Sequence, residues 1–357
     1  MSEPALGVLR QLEAEKQSAE HLNIEWHSVL YTGKKVPGRV TELSPVSSKN
    51  RLLFRISYYR WLLKITKNFD VILLRYSFHD PFQLLYVLLC RKPVYSVHHT
   101  LEVPELSLSK SKFNSIKVLI EKILGPLTLS FVKGIIAVLP EIRDYELDRR
   151  LFKRKVPSTV YTNGIDYYDR SDLNQNAKAN IQRSQNEAPK LLFISSVFAP
   201  WQGLEELAAA ASASKENFIC HIVGELNHSQ EELIKKDRRF TIHGLQDKDF
   251  INDLISRCDL GLSALALYKK NLKNVPALKL REYLKEGLAV YAGHGDVLPD
   301  SYKYFKNGPI EMNSILEFAN KNKKNDRLDV SESARPYIEK EKLLSDLSKF
   351  LHKNENV

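Results

Sequence analysis

The sequence predicts an α/β protein built from two Rossmann-like, doubly wound domains that face a cleft. Short runs of apolar and β-branched residues alternate with helical patterns along the chain. A polar stretch rich in chain breakers interrupts this alternation near the middle, after which it starts again. Strands separated by single helices favour parallel sheets with right-handed crossovers, so two such runs predict two parallel sheets.

Segments with the apolar pattern of strands alternate with longer helical segments in the first half. The predicted strands are 24–31, 70–76, 93–98, 134–139 and 158–164, and the clearest helices are 50–66 and 140–152. The polar stretch 166–190 that follows is typical of a linker or a long excursion. We therefore place a first domain at 1–165 and a linker at 166–189.

The second half repeats the pattern. Its predicted strands are 191–198, 218–224, 240–244, 259–265 and 288–293, and its helices are 204–214, 229–237, 248–257 and the segment from 276 to 287. The last helical segment, 336–353, has no strand after it. We place a second domain at 190–335 and a C-terminal helix at 336–357, which could cross back to the first domain.

Composition is that of an ordinary globular protein, with 43% hydrophobic and 27% charged residues. Charges interrupt every apolar run before the roughly 18 residues that a membrane span needs. The N-terminus lacks the basic-then-apolar pattern of a secretion signal. Three widely separated cysteines fit buried thiols better than disulfides or a metal site. These features predict a cytoplasmic protein.

The net charge of +10 is concentrated in the first half, where residues 1–170 hold 26 Lys and Arg against 17 Asp and Glu. Such a half could meet nucleic acid, an anionic membrane or a phosphorylated substrate, or could simply be a basic soluble surface. Segment 110–134 interleaves lysines with large apolar residues. It could lie peripherally on an anionic membrane and receive a lipid-linked acceptor, or be a core helix with a solvated lysine face.

Ligands of parallel sheets gather at the carboxyl ends of the strands, where loops lead into helices. Segment 273–293, KNVPALKLREYLKEGLAVYAG, follows such a loop. Asn274 suits an N-cap and Pro276 a first helical turn, so helix N–H groups and Lys279 could meet phosphate. Glu282, one turn further, could accept hydrogen bonds from two ribose hydroxyls. The alternative is an ordinary surface pair of Lys279 and Glu282.

This segment resembles the donor site of retaining GT-B glycosyltransferases of sequence family four. It is similar to one subgroup of that family at seven positions. The matching residues are Asn274, Pro276, Lys279, Glu282, Tyr283, Gly287 and Val290. The resemblance implies that Glu282 holds the ribose hydroxyls of a nucleotide sugar and that Lys279 holds its diphosphate. Asn274, assigned to the same donor site, stands where the family more often has a glutamate.

Further segments resemble the family in the expected order, over roughly residues 70 to 300. LLFISSVFAPWQGLEELAAAAS, 191–212, is similar to the first strand, glycine-bearing loop and helix of the nucleotide-binding domain, which places Gly203 at the donor. Ser196 and Gln202 stand where the family often has Arg and Lys. Lys279 is therefore the clearest cation for the diphosphate.

Two other loops carry the resemblance. VYTNGID, 160–166, resembles the crossing between the domains, with Asn163 and Gly164 as its signature. The loop of His243 and Gly244 resembles the one that lies near the base of the nucleotide. Each of these residue pairs lies at the end of a predicted strand.

The segment KPVYSVHHTLEVPE, 92–105, resembles the strand of the first domain that ends in a histidine near the transferred sugar. His98 closes the strand pattern and is the better match for this catalytic position, with His99 as its neighbour. Glu102 and Glu105 follow and could contact acceptor or sugar hydroxyls. The alternatives are a histidine that caps the strand end by hydrogen bonding, and solvated loop carboxylates.

One departure concerns the beginning of the chain. Members of the family open with a buried strand and a glycine-rich loop. This chain begins with MSEPALGVLRQLEAEKQ, which has the pattern of the helix that follows that loop. We expect a first domain without its usual first strand, or a start that lies upstream.

These observations predict a glycosyltransferase that moves a sugar from a nucleotide-diphosphate sugar to a glycan or lipid-linked acceptor. The resemblance implies retention of anomeric configuration. Since no Asp-x-Asp motif follows a strand, we expect a metal-independent reaction without a cofactor. A non-catalytic GT-B scaffold of a glycan assembly complex and a nucleotide-sugar epimerase remain alternatives. A nucleic-acid binder is disfavoured, since no aromatic-basic stacking motif or known reader module appears.

Overall fold

The structure of the protein is a computed structural model that describes residues 6–31, 41–43, 50–108, 114–167 and 187–355. The chain forms two compact units. The first unit comprises Met1–Asn163 and Lys340–Val357, and the second comprises Gly164–Glu339. The predicted linker falls mostly on residues 168–186, which lie outside the described residues.

Helices and strands alternate along both units. The helices are α1 (Leu6–His21), α2 (Arg51–Ile65), α3 (Pro81–Leu89), α4 (Glu102–Leu108), α5 (Asn114–Phe131), α6 (Pro140–Asp148), α7 (Leu204–Ser212), α8 (His228–Lys235), α9 (Lys248–Arg257), α10 (Leu278–Lys285), α11 (Met312–Asn322), α12 (Arg327–Ile338) and α13 (Lys340–Glu355). The strands are β1 (Val29–Tyr31), β2 (Thr41–Leu43), β3 (Ile72–Arg75), β4 (Val94–His98), β5 (Gly134–Ala137), β6 (Ser158–Val160), β7 (Lys190–Val197), β8 (Ile219–Glu225), β9 (Phe240–Gly244), β10 (Leu260–Leu262), β11 (Val290–Ala292) and β12 (Phe305–Asn307).

The main sheet of the first unit is parallel, with strand order β3-β4-β5-β6, while β1 and β2 form a separate parallel pair. Helices cover both faces of the main sheet. Val94 of β4 joins an apolar cluster with residues of α2, α3 and α5 such as Leu129. Its neighbour Tyr95 joins a second cluster with residues of α1 and α13, including Ala19 and Leu344. Adjacent strand residues point to opposite faces, so the unit is doubly wound.

The sheet of the second unit is also parallel, with strand order β12-β11-β10-β7-β8-β9. Its inner strands β10 and β11 are buried on both faces, which explains their nearly continuous apolar sequence. One close approach requires a glycine: a Cβ on Gly261 of β10 would lie 2.5 Å from the Tyr283 ring of α10. The predicted fold class of two parallel-sheet α/β units is confirmed.

Several elements differ from prediction. The strand predicted at 24–31 is reduced to β1, and β12, α11 and α12 were not predicted. The C-terminal helix starts at Lys340 and packs within the first unit. No helix among the described residues has the length and apolar character needed to cross a bilayer.

Candidate active site

The carboxyl ends of the parallel strands of the second unit meet along one edge of its sheet. β7 leads through a short turn, Pro200–Gln202, to Gly203 and α7. β10 leads through a longer loop to α10, and β10 and β7 are neighbours in the sheet. Because ligands of such sheets bind at this edge, the two loops define the candidate site.

The glycine turn after β7 depends on Gly203. Its φ of 81° lies in the left-handed region, which non-glycine residues rarely adopt. A Cβ there would lie 2.8 Å from Leu265 Cβ and 2.9 Å from the Ala266 nitrogen. The Leu265 N–H donates to the Gln202 carbonyl oxygen at 2.9 Å. Gly203 therefore allows the two loops to lie against one another.

Two buried side chains hold α10 in place. The Tyr283 hydroxyl accepts from the Ile194 N–H at 3.0 Å and donates to the Leu192 carbonyl at 3.3 Å, which ties the helix to β7. The Arg281 guanidinium makes two parallel 2.8 Å hydrogen bonds to Asp296, and both side chains are fully buried. This bidentate pair fixes the helix against the loop after β11.

The predicted N-cap at Asn274 is wrong. Helix α10 begins at Leu278 with Ala277 as its N-cap, and no side chain caps it. Asn274 instead forms an isolated parallel bridge with Gly295, and its side-chain oxygen lies over the Gly295 Cα, where a Cβ would come within 2.0 Å of it. Asn274 thus lies beside the loop after β11, ahead of the helix.

Lys279 lies in the first turn of α10 and points toward the glycine turn. Its Nζ donates to Gln202 Oε1 at 2.7 Å and lies 5.2 Å from the centroid of the Phe193 ring. Burial lowers the pKa of this ammonium from its usual value near 10.5 to about 7, against the opposing effect of the Glu282 carboxylate. A neutral amide is a weak partner for an ammonium, so an anion could bind here favourably.

Glu282 is half-buried one turn along α10 from Lys279, and its charge acts on that lysine. The two residues therefore share a face of the helix, as the sequence pattern predicts. Glu286 is the C-cap residue at the far end of the helix. The structure thus brings Gly203, Lys279 and Glu282 to one place, next to Gln202.

The amino end of α7 is less suited to an anion. Its first turn contains Glu205 and Glu206. Glu206 pairs with Lys269, and Glu205 accepts from Gln230 at 2.7 Å. The helix dipole stabilises these carboxylates, and their charge would repel a phosphate. The Lys279 side of the site is the better anion site.

Sequence reasoning missed His294, which follows β11. Its Nδ1 donates to the Gly295 carbonyl at 2.9 Å, so its Nε2 accepts from the Ser263 hydroxyl, also at 2.9 Å. The positive charge of Lys279 contributes to the lowered pKa of His294, after burial as the main cause. This histidine is thus a neutral, fixed group near the site. A histidine between glycines directly after a buried strand was the available signal.

His243 and Gly244 lie at the end of β9, at the edge of the sheet and two strands away from β7. The His243 ring faces His221, with a distance of 3.0 Å between Nε2 and Nδ1. Burial lowers the pKa of both rings, that of His221 to about 4. Gly244 has a φ of 68° and open space where a Cβ would stand. A ligand contact of these two residues stays a prediction.

In the first unit, His98 lies in a buried group of ionisable side chains, here named the His98 cluster. Its members are Tyr76, His98, Glu102, Glu121, Glu146 and Arg149. The His98 ring is 0% exposed, stacks on Tyr76 at 4.7 Å, and bonds Glu102 at 2.7 Å through Nδ1 and Ser96 at 2.8 Å through Nε2. Burial lowers the pKa of His98 to about 4, so the ring is neutral.

Arg149 is the cation of the His98 cluster. Its Nε donates to Glu146 at 2.7 Å, its Nη1 lies 2.8 Å from Glu121, and its Nη2 lies 3.8 Å from Glu102. Burial raises the pKa of Glu102 and of Glu146, and a hydrogen bond between the two carboxyls raises that of Glu146 further. The raised pKa values favour the protonated forms of Glu102 and Glu146, which reduces the negative charge that the Arg149 guanidinium has to balance.

The atoms of His98, Glu102 and Glu146 also lie close enough together to hold a metal ion, since one ligand atom of each lies within 4.8 Å of the others. The Arg149 guanidinium already contacts both carboxylates. A metal ion would place a second positive charge against it. The His98 cluster is better described as a buried ion network.

This geometry conflicts with the sugar-contacting roles predicted for His98 and Glu102. Both side chains are buried in the first unit and bond one another, and Glu102 is 2% exposed. The alternative of a histidine held by hydrogen bonds at a strand end fits His98. His99 is partly exposed, and Glu105 is exposed in the first turn of α4. Burial is the main cause that lowers the pKa of His99, to about 3. The charges of Arg75 and His98 lower this pKa further.

The sequence matches no protein-family model and no curated protein sequence. The fold, in contrast, matches solved structures over the whole chain. A glycosyltransferase of Rickettsia africae superposes with a TM-score of 0.64 at 16% identity, over 99% of this chain and 98% of that one. The Anabaena protein HepE in complex with UDP gives a TM-score of 0.64 at 14% identity, over 99% and 98%.

A third structure, the lipopolysaccharide outer core galactosyltransferase WaaB, gives a TM-score of 0.57 at 11% identity, over 88% of this chain and 84% of that one. Identities this low show a shared fold. The protein therefore has the GT-B fold of these glycosyltransferases.

Proposed function

We propose that the protein is a glycosyltransferase that moves a sugar from a nucleotide-diphosphate sugar to a glycan or lipid-linked acceptor. The observation that carries the proposal is Lys279. A half-buried ammonium with a lowered pKa stands at the strand-end edge of a GT-B fold and donates a hydrogen bond to a neutral amide. Such an ammonium is suited to a diphosphate.

The proposed chemistry needs a stabilised leaving group. Negative charge develops on the nucleotide diphosphate as its bond to the sugar breaks. Lys279 and the amino end of α10 supply positive potential without a metal ion. Retention of anomeric configuration is part of the proposal through the family resemblance of the α10 segment. The nucleotide sugar is a substrate, and no cofactor is proposed.

Glu282 is proposed to accept hydrogen bonds from the two ribose hydroxyls. Its carboxylate lies on the same helix face as Lys279, one turn further along. HepE was also solved with UDP-glucose, at 14% identity to this chain. Uridine nucleotides are therefore the first candidates for the base.

In the first unit, we propose His99 in place of His98 as the group that contacts the sugar. His98 has both ring nitrogens engaged and is fully buried. His99 is its partly exposed neighbour, and its low pKa keeps the ring neutral, so it can both donate and accept a hydrogen bond. Glu105 is the remaining exposed carboxylate of this segment, proposed as an acceptor or sugar contact.

The test is thermal stabilisation and turnover with a panel of nucleotides and nucleotide sugars. The wild-type protein is expected to be stabilised by one nucleotide diphosphate family and to release the nucleotide from the matching sugar donor. Glu282→Gln keeps the shape of the side chain and removes its charge, so it should weaken binding. Glu317→Gln, on α11, is the matched control. Unchanged binding in Glu282→Gln would refute the donor-site assignment.

A non-catalytic GT-B scaffold is the second candidate. Gln202 hydrogen-bonds Lys279 at the position where related enzymes often carry a second cation. A scaffold would bind nucleotide without releasing it from any sugar donor. Incubation with the donor alone also distinguishes an epimerase from a glycosyltransferase and from a scaffold. An epimerase changes the sugar without an acceptor and without releasing the nucleotide.

A further inference from the structure

The outer face of α3 is entirely apolar. The helix carries no charged residue, and its exposed side chains are Pro81, Leu85, Leu88 and Leu89. These positions follow helical spacing and form one stripe. Each of the three leucines is more than half exposed. A contiguous apolar surface of this kind marks an interaction site when it is large enough.

The neighbouring helices extend this apolar face. α3 packs against both α2 and α5. The exposed row of α5 is Ile116, Leu119 and Ile123, spaced at i, i+3 and i+7, and each is more than half exposed. The first turn of α2 adds Leu52 and Leu53.

The loop after α6 joins the same surface. The Leu151 N–H donates to the Pro126 carbonyl at 3.3 Å, and the Phe152 N–H donates to the Ser130 hydroxyl at 3.1 Å. The Phe152 ring meets the Phe131 ring edge to face at 6.0 Å. Leu151 and Phe152 are thus exposed beside the C-terminal half of α5.

Basic residues flank these apolar side chains. The segment 151–155, LFKRK, is exposed throughout. On α2, Arg60 and Lys64 share the helical face of Leu53, and on α5 Lys122 precedes Ile123. The acidic residue within α2, α3, α5 and this loop is Glu121, which is 0% exposed and paired with Arg149.

We propose that this surface, the outer faces of α2, α3 and α5 with residues 151–155, docks the first unit on an anionic lipid bilayer. Leucine and isoleucine side chains would enter the interfacial region, while the lysine and arginine heads would contact lipid phosphates. Charge favours the bilayer over a second copy of the chain, because a two-fold contact would bring two basic faces together. The inference goes beyond the proposed reaction and does not depend on it.

The first experiment is co-sedimentation of the purified full chain with sucrose-loaded vesicles. Equal parts of phosphatidylglycerol and phosphatidylcholine are compared with phosphatidylcholine alone, without nucleotide. We expect sedimentation with the anionic vesicles, weakened by added salt, and much less with the neutral ones. Substitution of Leu85, Leu88 and Leu89 together by Gln should lower the apparent affinity by about tenfold or more.

Matched variants test apolar and basic contributions separately. Leu328→Gln with Tyr337→Gln changes exposed apolar residues of the second unit and should leave lipid binding unchanged. Lys153→Glu with Lys155→Glu should weaken binding to anionic vesicles, whereas Lys321→Glu with Lys324→Glu, two exposed lysines of the second unit, should have little effect.

Two results would overturn the proposal. One is equal sedimentation of the wild-type protein and the triple α3 variant with anionic vesicles. The other is a dimer, seen by analytical ultracentrifugation, that the triple variant abolishes while lipid binding is absent. Nucleotide stabilisation of each variant is measured in parallel. It reports the fold and the donor site, so a failure of lipid binding and a failure of the proposed reaction can be told apart.

Discussion

The His98 cluster and the Lys279 site both lie at the strand ends of a parallel sheet. The cation of the cluster has charged partners, whereas the cation of the Lys279 site has a neutral hydrogen-bond partner. In the cluster, Arg149 pairs with Glu121 and Glu146 at 2.8 and 2.7 Å, away from solvent. At the second site, the Lys279 ammonium meets the neutral amide of Gln202. A buried charge with a charged partner makes the fold sensitive to the loss of that partner, whereas a charge held against a weak partner is available to a ligand.

The largest expected effect comes from removing the cation of the His98 cluster. Arg149→Met should lower the free energy of unfolding by about 3–5 kcal/mol, because buried carboxylates lose their partner. Denaturant unfolding measures this change. Arg143→Met removes a more exposed pair with Asp144 and should cost about 0–1 kcal/mol. Equal losses in both variants would mean that the cluster is no more than a surface network.

Lys279→Met should affect nucleotide binding more than stability, in contrast to Arg149→Met. We expect little loss of stability, since the variant removes an ammonium that burial disfavours, and a nucleotide affinity lower by about tenfold to a hundredfold. Isothermal titration with UDP measures the affinity, and Lys321→Met is an exposed-lysine control in the same unit. Unchanged affinity together with a marked loss of stability would show that Lys279 stabilises the fold and does not bind the nucleotide. The Lys279 site would then not differ from the His98 cluster in this respect.

His98 and His99 are expected to differ in the same way, the first in its effect on stability and the second in its effect on turnover. His98→Ala should cost about 1–3 kcal/mol of stability, because Glu102 and Ser96 lose a buried hydrogen-bond partner. His99→Ala should change stability little and lower turnover by about tenfold if His99 contacts the sugar. The comparison requires both unfolding and rate measurements. A rate loss in His98→Ala at full stability would restore the original assignment of His98.

The fold could be predicted because its central strands are largely buried on both faces. Continuous apolar runs such as LLFIS in β7 are typical of such strands, and single helices between them predict parallel order. Strand β12 was not predicted because it is three residues long, FKN, and has one apolar residue. Helix α12 was not predicted, in part because Pro336 lies inside it and a proline usually indicates the end of a helix.

The candidate site could be predicted in part. The spacing of Lys279 and Glu282 on one helix face follows from local sequence alone. The Arg281–Asp296 pair could not be found, because it joins helix α10 to the loop after β11 through tertiary folding. Likewise, the position of His98 at a strand end does not reveal that charged residues of α4, α5 and α6 surround it. Burial and pairing are properties of the packed structure.

The pH dependence of donor binding gives the smallest effect. Lys279 must be protonated to bind the diphosphate, and its pKa in the free protein is about 7. The affinity for a nucleotide sugar should therefore be nearly constant below about pH 6, fall by about twofold between pH 6 and 7, and fall by about a further fivefold between pH 7 and 8. A nucleotide sugar is preferred over UDP, because its diphosphate has no group that titrates near neutrality. Lys279→Met should abolish this dependence, and a flat profile in the wild-type protein would show that the ammonium keeps an ordinary pKa.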